Sequence, residues 1–292
     1  MNNHSYNSWN VYGSDFERIF IGLMAILAGI TLIYLAISGP LVYGEIKYRT
    51  PEAINNQLIG QDMINLAVLA PLLITGGILL LLRKNAARYL LTATPLFLIY
   101  YALSYTIGWE WSSPQYQGNN EKYFFYFLFI LISALLILLY SYSVFPKKVT
   151  AVFRKKPLMI YSILFVLFLL VFAGMWVGEV IEVIKTGTTR GYDISPIAFW
   201  LVRVFDLGFS IPLGMISVYL LWTRASRAYP IIWLFYGFFF TQILAVNAMG
   251  WMMFVRRDPA FALRDLMVFS ILTLIIISGF VFVIKNYHVE QD

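Results

Sequence analysis

The segment LVRVFDLGFSIPLG, residues 201–214, sets an arginine and an aspartate three residues apart inside a long apolar run. Moved back by 141 positions, it meets a second segment of the same design. NLAVLAP at 65–71 falls on DLGFSIP at 206–212, LLLLR at 79–83 ends where LLWTR at 220–224 ends, and Ala87 falls on Ala228. Seven of the 27 overlaid positions are identical and four of those are leucine, so the matched proline, the matched arginine and the order of the runs carry the weight. A Gly-Trp pair also closes the third run of each half, at Gly108-Trp109 and Gly250-Trp251.

The composition explains why such runs dominate. The chain is 60% hydrophobic and 12% charged, against about 45–50% and about 25% in a soluble domain. A bilayer crossing needs about 20 apolar residues. Eight runs qualify, at 16–38, 62–82, 89–108, 123–145, 158–181, 200–223, 229–253 and 264–285. Four crossings per half is an even number, so both halves enter the membrane in the same direction. The predicted fold is an all-α polytopic membrane protein, with eight transmembrane helices arranged as two parallel four-helix repeats about an axis along the membrane normal. Along the chain this gives a tail at 1–15, repeat 1 at 16–145, a basic linker at 146–157, repeat 2 at 158–285 and a tail at 286–292.

Of the 21 Lys and Arg residues, twelve fall on the side of the termini and eight on the other, with Arg203 left inside a span. That bias predicts cytoplasmic termini. The net charge of +6 reflects this sorting beside anionic lipid rather than a nucleic-acid partner. The first fifteen residues lack a basic leader and a small-residue cleavage site, so the first span is expected to be a retained helix. DLGFSIP resembles repeats in prokaryotic membrane proteins, without implying a function, and the expected location is a prokaryotic plasma membrane.

Several chemistries are excluded. The chain has no cysteine, and its two histidines, His4 and His288, lie in the tails. Disulfides, thiolate zinc sites, iron–sulfur clusters, a bis-histidine haem and a histidine-based triad therefore lack their residues. A retinal protein needs a lysine well inside a span, and Lys285 ends the last one. No Asp/Glu spacing matches a metal loop. Neither a cofactor nor a metal site is predicted, and an enzyme acting on a lipid or polyprenyl substrate at the outer face stays a third reading with no residues to carry it.

The overlay sets Asp62 opposite Arg203 and Asn65 opposite Asp206. If the second helices of the two halves meet near the axis, Asp62 and Arg203 face each other across it. From Thr223 to Asp206 is about 26 Å of helix, which places the group near the outer edge of a core of about 30 Å. Two readings follow, a structural ion pair that fixes helix register and an outward-facing ligand site. Pro71 and Pro212 lack an N–H and predict kinks that free the carbonyls of Ala67 and Gly208. Outer-face candidates are Trp109 and Glu110 in GWEWSSPQYQGNNEKYFFY, and Glu179 and Glu182, three apart at the end of the fifth span. GMWVG at 174–178 predicts helix packing, and Gln242 and Asn247 predict hydrogen bonds to a neighbouring helix or a place along a path. The expected function is solute or ion transport or binding between the repeats. The alternative is a non-catalytic subunit or assembly factor with a protein partner. Membrane lipids are the surroundings in either case.

Overall fold

A computed structural model of the chain describes residues 11–108 and 115–289. Eight helices among them are long and apolar enough to cross a membrane: α1 Asp15–Ser38, α2 Glu52–Leu81, α3 Ala86–Gly108, α4 Asn120–Ser143, α5 Lys155–Thr186, α6 Pro196–Thr223, α7 Ala225–Val255 and α8 Leu263–Lys285. The protein is thus an integral membrane protein, and all eight expected spans are present. Ser14 starts α1 with a reciprocal capping box: it accepts from the Glu17 N–H, and the Glu17 carboxylate accepts from the Ser14 N–H.

The largest difference from the sequence reading is the start of α2. Hydropathy places it at 62, yet the helix begins at Glu52, ten residues earlier. The added stretch EAINNQLIGQ is polar because it faces protein, not lipid. Ile54, Leu58, Ile59, Gly60 and Gln61 are buried, and Asn56 donates to Asp258 of the α7–α8 loop at 2.8 Å. α7 packs along this part of α2. A side chain at Gly60 would meet the carbonyl carbon of Ala248 at 2.4 Å, so the two backbones touch. α7 reaches α3 in the same way. A side chain at Gly237 would lie 2.4 Å from the Ala93 Cα, where α3 is interrupted ahead of Pro95.

The first four helices close into a ring, with α1 against α2, α2 against α3, α3 against α4 and α4 back against α1. Glycines let α1 and α2 approach closely, since a side chain at Gly77 would sit 2.6 Å from the Gly22 carbonyl. In the last four, α7 is half-buried while α5 and α8 show most of their surface. The linker and the chain's end pair as two short antiparallel strands, β1 Val149–Ala151 and β2 Tyr287–Val289. Burial beside Tyr229 raises the Tyr287 hydroxyl above the usual phenol range.

α2 and α6 each carry a π turn, at Asn65–Leu69 and Asp206–Ser210, and Pro71 and Pro212 follow them. These turns are 141 positions apart, the offset that relates the two sequence segments. The Ala70 N–H bonds the Asn65 carbonyl and the Ile211 N–H bonds the Asp206 carbonyl. With no N–H on either proline, Leu66 and Ala67, and likewise Leu207 and Gly208, lack their helical donors. The kinks expected at the two prolines are therefore π turns, and each frees one more carbonyl than expected.

Candidate functional site

The structure does not pair Asp62 with Arg203. The guanidinium of Arg203 makes its ion pair with Glu179 of α5, and Asp62 accepts from the Tyr105 hydroxyl of α3, at 3.5 Å, with the Asn65 amide beside it. The cause is packing order, because the helix lying along the first part of α2 is α7, not α6. The residues overlaid in sequence thus occupy two separate polar clusters, both at the end of the bundle away from the described termini.

The first cluster forms around α6. Arg203 is buried, with its guanidinium carbon 4.2 Å from the Trp176 ring centroid and 3.9 Å from that of Phe199. Such a sandwich holds a cation by ring quadrupole attraction. One guanidinium nitrogen also donates to the Phe199 carbonyl at 3.3 Å, while Nε has no partner. Asp206, one helical turn further in, accepts from the Trp176 indole N–H at 3.0 Å and from Ser210 at 3.3 Å. Arg203 lies within electrostatic reach of Asp206, and so does Tyr100 of α3, which sits beside Gln242 of α7. Residues from α3, α5, α6 and α7 therefore converge here, at a junction of the first and last four helices.

The second cluster lies inside the first four helices. Asp62 and Asn65 are fully buried. Tyr101 and Tyr105 of α3 meet near Asp62 with centroids 4.3 Å apart and ring planes tilted by 45°, and Tyr48 of the α1–α2 loop meets Tyr105 edge-on at 5.1 Å. Gln61 donates to Asn65 at 3.3 Å. The 39–51 loop roofs this cluster and is held by Asn119, which accepts from the Lys47 N–H and donates to the Glu45 carbonyl, both at 2.8 Å.

The remaining candidates are spread out. Glu179 belongs to the first cluster, whereas Glu182 is exposed and makes no ion pair among the described residues. Trp109 and Glu110 lie outside the described residues. Gly174 and Gly178 pack against nothing, since a side chain at either would meet no atom within 4 Å. The motif expected to pack helices instead contributes Trp176, which lies between its glycines. Asn247 ties α7 to α8 by donating to Thr273 at 3.0 Å and accepting from Ser270 at 3.0 Å. Among the described residues no group of three acidic or histidine side chains is placed to hold a metal.

Sequence reasoning missed Trp176, Tyr100, Tyr101, Tyr105 and Tyr48 as site residues. In a chain with 20 tyrosines and 8 tryptophans, an aromatic near a span end reads as an interfacial belt. The usable signal was spacing, because Trp176 and Glu179 stand three apart and share a helix face. No family model, curated protein or solved structure matches the chain.

Proposed function

We propose that this chain binds, and passes across the membrane, a small polar solute or ion at a site between two parallel four-helix repeats. The site is the cluster of Arg203, Asp206, Glu179 and Trp176, joined by Tyr100 and Gln242, and it opens outward. The observation that carries this reading is the pair of π turns at Asn65–Leu69 and Asp206–Ser210. Each sets a buried polar side chain and two donor-less carbonyls at corresponding points of two second helices. Interrupted helices at matching places in two halves are the usual mark of a central transport site. The Lys and Arg bias supports cytoplasmic termini, and so an outward-facing Arg203 cluster, in a prokaryotic plasma membrane.

A second reading, a non-catalytic subunit or assembly factor, draws on one observation. α5 and α8 leave most of their surface uncovered, and the open glycines Gly174 and Gly178 lie on α5. Native mass spectrometry from mild detergent separates the two. A bound small molecule that is lost in Asp206→Asn and Arg203→Lys supports the binding site. A stoichiometric protein companion with no such molecule supports the subunit.

A further inference from the structure

We propose that Asp62 and the C-terminal turn of α1 form a binding site for a monovalent alkali cation of the sodium class. This site lies wholly within the first four helices, apart from the Arg203 cluster, and it stands whether or not the chain transports a solute.

The argument begins with a buried charge. Asp62 is 0% exposed. Its Oδ1 accepts from Tyr105, and its Oδ2 has no partner. No Lys or Arg among the described residues pairs with it, and the ionisable groups facing it are the tyrosines 48, 101 and 105. An isolated carboxylate in such a place is costly unless a positive charge joins it.

The direction of Oδ2 identifies what joins it. α1 ends at Gly39, and a side chain there would sit 2.7 Å from Asp62 Oδ2, 2.9 Å from the Leu35 carbonyl oxygen and 3.5 Å from that of Ala36. Residue 40 is proline, so the Ala36 carbonyl has no helical donor, and no other described group supplies one. The carboxylate is thus aimed at the electronegative end of a helix, across the face of a residue with no side chain. Two negative poles brought together in a dry interior need a positive charge between them, a metal cation or a proton on the carboxylate, and the oxygens gathered here suit the cation. Nearby, the Tyr48 and Tyr101 hydroxyls and the Asn65 side-chain nitrogen also lack partners. The two hydroxyls add neutral oxygens, the ligand type that hard cations take. A single carboxylate matches a single charge, whereas calcium sites gather several.

The test is thermal unfolding of the purified protein in sodium, potassium and N-methylglucamine chloride at constant ionic strength, repeated across a range of pH. Tm of the wild type is expected to rise with the logarithm of sodium concentration, as for any ligand bound by the native state alone. Asp62→Asn is expected to abolish that slope. Gly39→Ala, which puts a methyl group against Oδ2, is expected to raise the sodium concentration needed at least tenfold. Hydrogen exchange on the wild type requires no variant, and sodium should slow exchange at residues 35–48 and 58–66. A wild type indifferent to every alkali ion overturns the proposal. If its stability instead falls as pH rises, and Asp62→Asn does not follow, the charge is a proton. A sodium slope that survives in Asp62→Asn also overturns it, because the ion then binds elsewhere.

Discussion

The indole N–H of Trp176 donates to Asp206 Oδ2 at 3.0 Å, and the face of the same ring lies 4.2 Å from the Arg203 guanidinium carbon. One side chain on α5 thus serves an acid with its edge and a base with its face. Trp176→Phe keeps a ring for Arg203 and removes the donor from Asp206. It should cost about 1–2 kcal/mol, the range for an unmade buried bond to a charged group, moderated in membranes by partners in the unfolded state. Denaturant unfolding in mixed micelles reads the loss. The double variant Trp176→Phe with Asp206→Asn should cost less than the sum of the single changes.

Arg203 has chosen Glu179 over Asp62, and charge exchange checks that choice. Arg203→Glu and Glu179→Arg should each lower Tm, and the double exchange should recover most of the loss. Exchanging Arg203 with Asp62 should recover nothing. Recovery in the second pair but not the first would contradict the packing order of α2, α6 and α7.

Glycine positions divide sharply. Gly60→Ala and Gly237→Ala force a methyl group to 2.4 Å from backbone atoms of Ala248 and Ala93, which cannot rotate away. Each should destabilise by about 1–3 kcal/mol, the usual cost of overpacking. Gly174→Ala and Gly178→Ala meet nothing and should stay within about 0.5 kcal/mol, aided by helix propensity. The four unfolding curves, measured together, separate the two groups.

Asn119 is half-buried and holds two backbone groups of the 39–51 loop through its side chain. Asn119→Ala should leave the helices in place and raise hydrogen exchange locally, at 45–48. A change spread over α1 and α2 would mean that this loop is part of the helical core.

The eight crossings were legible because lipid-facing turns must be apolar along their whole length, a signal that hydropathy sums directly. The first ten residues of α2 were not, since a helix buried against protein is free to carry Asn56 and Gln61. Asp62, Asn65, Arg203 and Asp206 could be picked out as charges and amides inside apolar runs. Their partners could not. Pairing depends on which helix lies beside α2, and an overlay of two halves compares positions without saying what touches. The π turns were half-visible, since the prolines mark an interruption but not the extra residue looped into each turn.

The two backbone contacts of α7 have a mechanical consequence. It meets the first four helices at Ala248 against Gly60 and at Gly237 against Ala93, eleven residues and about 16 Å apart along its axis. Contacts without a side-chain layer between them leave no room for sliding. Fixed at two such points, α7 keeps its register against the first four helices, as a bolt held in two brackets keeps its place. The α6 carboxylate is set from the same frame, because Phe205 beside it packs on Tyr100 of α3 with ring centroids 4.7 Å apart.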